Sequence, residues 1–186
     1  MSEEGLTYYM DEVKIHEYYR HLSEMDNDIA LLLLKDHVEF SFKVKKAILV
    51  EPETVLRDNT HIRVSGWSTS KLAPKFRNVL LRTEMIVINK TECITYYGKL
   101  ITPSNYCAKY NSEYRIFDIG GPAIFQDLLV GIVSFGVDNK KEPYYTVFTN
   151  ISHFYRWIML NTKKLLKKRC GQVQDTVLVT ETEFTD

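Results

Sequence analysis

Three groups of residues in this chain have the types and spacing to do chemistry. Cys93 and Cys107 enclose a short loop and can oxidise to one disulfide, which leaves Cys170 unpaired. Two N-x-[ST] sequons, Asn89-Lys90-Thr91 and Asn150-Ile151-Ser152, can accept an N-linked glycan in an exported chain. Each asparagine has a second reading. Asn89 is followed three residues later by Glu92, a capping box that opens a short helix, and Asn150 stands just before a C-terminal helix, so both also suit caps. The third group is the run Lys163-Lys164-Leu165-Leu166-Lys167-Lys168-Arg169. A basic amphipathic helix suits a weak contact with an anionic surface. Cations are equally favoured near a helix C-terminus by the macrodipole, and a solvated face carries charge in any case. No metal site and no cofactor are expected.

The rest of the chain must position these residues. Its 186 residues, 45% hydrophobic and 12% aromatic, are enough for one ordinary domain with a core. Lysine plus arginine equal aspartate plus glutamate at 24 each, so no overall field draws the chain to nucleic acid or an anionic membrane. No apolar run approaches the roughly 20 residues that span a bilayer. The first twenty residues set Tyr8, Tyr9 and Met10 among Glu3, Glu4, Asp11, Glu12 and Lys14, which is no signal-peptide core. As written, the chain reads as soluble and without an export signal.

Apolar or alternating runs at 29–34, 47–50, 61–64, 78–82, 128–134 and 144–149 predict short strands, bounded by turn clusters such as Arg57-Asp58-Asn59 and Val137-Asp138-Asn139. Regularly spaced short strands predict a sandwich or barrel. From Ile151 to about Lys168, Ile151, Phe154, Tyr155, Ile158, Leu165 and Leu166 recur at helical spacing, with Lys163, Lys164, Lys167 and Lys168 on the other face. This predicts an amphipathic C-terminal helix ended by Gly171, followed by a loose polar and acidic tail. No repeat, low-complexity tract or linker divides the chain.

Five motifs then stand in a telling order. They are Asp26-Asn27-Asp28-Ile29-Ala30-Leu31-Leu32, Val64-Ser65-Gly66-Trp67, Asp118-Ile119-Gly120-Gly121-Pro122, Gly131-Ile132-Val133-Ser134-Phe135-Gly136, and Val147-Phe148-Thr149-Asn150-Ile151 with Trp157-Ile158. Together they resemble, in sequence and spacing, the second half of the trypsin-like serine proteases. The resemblance covers roughly residues 5 to 170. It implies an all-β fold, a double antiparallel β-barrel with the first barrel largely missing, plus a C-terminal α-helix. Residues 1–170 are expected to form a partial protease domain: 1–45 a remnant of the first barrel, 46–150 the second barrel and 151–170 the helix. Residues 171–186 would be a flexible polar tail.

Under this resemblance the chemistry fails at every part. Acyl transfer needs an oxygen nucleophile, a base and an anion hole. Ile119 stands at the nucleophile position and carries no ionisable atom. Phe117 replaces the glycine whose N–H the family turns toward the oxyanion, a backbone shape that a bulky residue adopts far less readily. The family's A-A-H-C segment is absent, and none of His16, His21, His37, His61 and His153 sits in such a motif. Asp28 is then a vestigial triad aspartate with nothing to orient. Ser134, Ser65 and Thr149 fall on strands rather than on the exposed turn that presents a nucleophile.

The resemblance places a substrate pocket at Glu113, Ser134, Gly136 and Thr146. Glu113 falls at the pocket base, and Thr146 replaces a wall glycine, where its branched side chain narrows the slot. Cys93 and Cys107 match one family disulfide, and Cys170 matches none. Two other family pairs fall on Arg115 with Asn139 and on Ile62 with Phe125, and the latter two can pack across the same gap. Asp118 lacks the new N-terminal amine that it pairs with in the family, so it should be exposed, protonated or paired locally. The expected function is that of a secreted, non-catalytic protease homologue acting through a protein partner. The alternative is a truncated or incomplete serine-type endopeptidase.

Overall fold

The computed structural model describes residues 6–52, 54–67, 79–111, 118–136 and 144–181, with the side chains of the last segment described to Gly171. Glu113, Arg115, Phe117 and Asn139 lie outside the described residues. The chain divides into two compact units. One holds the first strand to Lys14, Ala30–Val38 and the helix from Arg156; the other holds Ile15–Ile29 and Glu39–Tyr155.

The larger unit is a closed barrel. Six strands form it: β4 (His61–Gly66), β5 (Leu81–Val87), β6 (Asn105–Tyr110), β7 (Pro122–Phe125), β8 (Leu128–Phe135) and β9 (Tyr145–Asn150). They pair antiparallel in the order β8-β7-β4-β5-β6-β9, and β9 returns to β8. Closure leaves none of the six with an open edge. The short β3 (Ile48–Leu49) adds to β8 in parallel, with Ile48 opposite Leu128. Alternation sends Ile62 and Val64 of β4 and Thr83, Met85 and Val87 of β5 inward, where they meet Ala123, Val130, Val133, Val147 and Phe148. These side chains are nearly all fully buried, and most are β-branched or small enough to fill a narrow barrel. β4 pairs with β7 through Arg63–Ile124 and Val64–Ala123, and one further step along this register sets Ile62 opposite Phe125.

The strand expected at 78–82 lies later, at 81–87, because the inward alternation begins at Thr83 and runs to Val87. Strands β6 and β7, and β1 (Met10–Ile15) in the other unit, add to those expected. α1 (Lys90–Tyr97) follows β5 and continues into a 3₁₀ turn at Gly98–Leu100. Asn89 caps α1 by accepting from the Thr91 N–H at 2.7 Å. Glu92 does not complete the box, since its carboxylate receives the Tyr145 hydroxyl instead. The Cys93–Cys107 disulfide clips α1 to β6 with the two Cα atoms 6.0 Å apart, and both cysteines are buried with Ile88, Tyr145 and Val147.

In the smaller unit, β1 pairs with β2 (Ala30–Leu34), and the long helix α2 (Ile151–Glu181) contributes its residues from Arg156 onward. Arg169 donates to the carbonyls of Leu34 and Lys35, and Lys168 pairs with Glu12 at 2.8 Å. Two of the five cations in the basic run are therefore engaged within the unit. Lys163, Lys164 and Lys167 are exposed, whereas Leu165 is buried and Leu166 is not. The helix does not end at Gly171 but continues ten residues further, to Glu181. Gly171 keeps a negative φ, and a helical glycine costs only about 1 kcal/mol against alanine, which an otherwise regular helix absorbs.

Across the barrel, the Tyr106 ring of β6 stacks on Phe148 of β9 with centroids 5.3 Å apart and brings its hydroxyl end against Gly131 of β8. A Cβ at position 131 would come within 3.0 Å of Tyr106 Cζ and 3.1 Å of Cε1. Gly131→Ala is therefore expected to lower stability by about 1–3 kcal/mol through overpacking. The shift of the urea midpoint measures this, and an unchanged midpoint would show that the ring moves aside freely.

Candidate functional site

Asp28 lies in the barrel unit, in the segment before β2, and two contacts of its own and one of its neighbour fix it. Ser134 Oγ donates to Asp28 Oδ2 at 2.5 Å, and Thr149 Oγ1 donates to the Asp28 carbonyl at 2.8 Å. The adjoining Asn27 takes a positive φ of 51° and donates its N–H to Ser104 Oγ at 3.2 Å. Ser134 reaches Asp28 because of a bulge. Along the closing seam, Ile132 faces Thr149 and Val133 faces Phe148, but the next pair is Phe135 with Val147. Ser134 is thus the extra residue, and bulges re-aim side chains in this way. It is buried, as its strand position implied.

Residues 118–121 form a turn closed by backbone hydrogen bonds. Gly120 N donates to the Val133 carbonyl at 2.8 Å, Val133 N donates back to the Gly121 carbonyl at 2.9 Å, and Gly121 N closes onto the Asp118 carbonyl at 2.9 Å. Gly120 has a φ of 84°, a region that only glycine enters freely. A Cβ at Gly121 would stand 2.8 Å from the Asp118 carbonyl oxygen and 3.3 Å from that of Ser65. The turn therefore needs both glycines, and it holds Ile119 at its tip with 69% of the side chain exposed. Asp118 is paired locally, its Oδ2 receiving the Trp67 N–H at 2.5 Å.

The pocket residues are only partly brought together. Gly136 has a φ of 87°, and a Cβ there would meet Tyr97 Cζ at 3.1 Å and the Tyr145 carbonyl at 2.9 Å. Tyr97 crosses this position to donate to that same carbonyl at 2.7 Å. Thr146 is fully buried, with its hydroxyl 3.4 Å from the Tyr110 hydroxyl, so it faces the interior. Burial, reinforced by the neighbouring Glu92 carboxylate, pushes the Tyr145 phenol up to about 12. Burial lowers His153, with Asp26 opposing and Lys90 assisting. Among the described residues, no group of three or more histidine, cysteine, aspartate and glutamate side chains could hold a metal ion, and no helix is long and apolar enough to cross a membrane.

One polar cluster escaped the sequence reading. Asp26 is 2% exposed, and its carboxylate takes four hydrogen bonds: Thr102 Oγ1 at 2.8 Å and Ser104 Oγ at 3.0 Å on Oδ1, Asn27 Nδ2 at 2.7 Å and Leu22 N at 3.2 Å on Oδ2. The available signal was the run Thr102-Pro103-Ser104-Asn105, three short polar side chains gathered within four residues.

With this geometry in view, the chain matches the Trypsin family over residues 1–158, and it belongs to that family. Among curated relatives, the clotting factor G beta subunit of Tachypleus tridentatus is 29% identical over 178 residues, covering 85% of this chain and 57% of that protein. The vitellin-degrading protease of Bombyx mori is 30% identical over 172 residues, covering 90% and 65%. The chain thus spans less than two thirds of these relatives' length. Among solved structures, the scabies mite inactivated protease paralogue S-I1 has a TM-score of 0.70 at 28% identity, covering 84% of this chain and 68% of that one. The paralogue S-D1 reaches 0.74 at 21% identity, covering 89% and 72%, a likeness of fold.

Two outcomes test the site's construction. Asp26→Ala removes the acceptor of the buried Thr102 and Ser104 hydroxyls and should lower stability by roughly 1–3 kcal/mol in urea titration, the cost of an orphaned buried group; an unchanged urea midpoint would refute the network's structural weight. For Tyr145 the folded value lies above the unfolded 10, so stability is intact below pH 10 and falls between pH 10 and about 12 as the unfolded chain alone ionises. Tyr145→Phe should flatten that alkaline loss by up to one proton's slope, measured by melting temperature against pH.

Proposed function

We propose that this chain is a non-catalytic homologue of the trypsin-like proteases, exported in its working form and acting by binding a protein partner. One observation carries the reading: a presenting turn that keeps both its glycines and its local hydrogen bonds carries the exposed hydrocarbon Ile119 at its tip. No oxygen is offered there for attack on a carbonyl. Loss of the nucleophile alone lowers turnover about a millionfold in another serine hydrolase class. Asp28, which the resemblance sets at the triad aspartate's position, accepts a hydrogen bond from Ser134, and this orders the scaffold without supplying a nucleophile. The structure described as inactivated protease paralogue S-I1, at 28% identity, supports the same reading by likeness.

The purified chain should neither hydrolyse peptide esters nor label with a fluorophosphonate probe. Ile119→Ser should leave both results unchanged, because Phe117 replaces the anion-hole glycine and no histidine lies in an A-A-H-C motif. Labelling of the unaltered chain would overturn the reading outright. A second reading, an incomplete serine-type endopeptidase, draws on the exposed Met10, Val13 and Leu32 of the β1–β2 sheet, which suit a surface that further protein covers. Sizing combined with melting separates the two: a cooperative monomer supports the first, a soluble aggregate the second.

A further inference from the structure

We propose that Asn89, and not Asn150, is the residue of this chain that carries an N-linked glycan. Both stand in sequons, and the fold separates them. Asn89, Lys90 and Thr91 are all exposed at the start of α1, as is Asp58, the residue facing the asparagine amide. Asn89 Oδ1 accepts from Thr91 N, and Nδ2 donates to Asp58 Oδ2 at 2.9 Å. Glycosylation forms a bond from Nδ2 to the anomeric carbon of the first sugar. It breaks that carbon's bond to the pyrophosphate of a lipid-linked oligosaccharide donor, and Nδ2 gives up one of its two protons as the lipid pyrophosphate leaves. The other N–H remains, and Oδ1 is untouched. The helix cap therefore survives the modification, and the sugar projects from an exposed corner.

Asn150 makes a similar capping contact but lacks the exposure. It is half-buried at the end of β9, where its backbone N–H donates to the Ser104 carbonyl at 2.9 Å and its Oδ1 accepts from Ser152 N at 3.1 Å. Thr149, Ile151 and Ser152 around it are buried at 2%, 1% and 7% exposure, so the sequon's own hydroxyl points into the fold. The sequon at Asn150 is thus packed into the fold, whereas all three residues of the one at Asn89 are exposed. Glycosylation at Asn89 also keeps the corner by Asp58 clear of other protein, so a docking partner would use another face of the barrel.

The test expresses the full chain behind a secretory leader in eukaryotic cells and follows its mass, in cells and medium together, before and after peptide N-glycosidase. One glycan's shift is expected in the unaltered chain and in Asn150→Gln, and none in Asn89→Gln. Thr91→Ala keeps the Asn89 cap and should likewise lose the shift, which separates loss of the acceptor from loss of the fold. After enzymatic release, position 89 should read as aspartate in the peptide mass spectrum. No shift in the unaltered chain, a shift that survives Thr91→Ala, or one lost only in Asn150→Gln would overturn the proposal.

Discussion

The pairing of β8 with β9 is the constraint on which the barrel unit depends. It turns a six-stranded sheet into a ring, so no strand among β4 to β9 is left as an open edge. The same seam carries the bulge that turns Ser134 to Asp28, and β8 provides both backbone groups of Val133 that fix the 118–121 turn. Closure and site geometry are thus set by one strand.

Position 131 shows how tightly this works. Tyr106 and Phe148 stack across β6 and β9, and only the missing side chain of Gly131 leaves room for the phenol. The Tyr106 hydroxyl is buried with no hydrogen-bond partner among the described residues, and burial pushes its ionisation far upward. The stacked ring stays neutral, and its packing outweighs the cost of one unsatisfied group. The disulfide from Cys93 to Cys107 secures the neighbouring edge, holding α1 where Glu92 can meet Tyr145.

What the sequence disclosed was the part carried by short-range pattern. The five motifs and the strands of β2, β4, β8 and β9 rest on local alternation or on adjacent residues, and they were legible. β7 is four residues long and begins with proline, which is tolerated at a strand's first position but reads as a stop. β6, Asn-Tyr-Cys-Ala-Lys-Tyr, buries a polar residue at its start and lacks a clean period of two. The Asp26 cluster joins residues 76 and 78 positions apart, and the bulge at Ser134 is a property of pairing rather than of composition. Gly171 misled because a glycine reads as a helix end unless the following turn can be seen to continue.

Among the described residues, the turn at 118–121 is held by backbone hydrogen bonds, by two glycines and by the carboxylate of Asp118, while the side chain of residue 119 is exposed. Mechanically it is a mount with an interchangeable tip. Whatever side chain occupies 119 is displayed on the same frame, so this position can change its chemistry without rebuilding the turn beneath it. The position is open to change in a way its glycine neighbours are not.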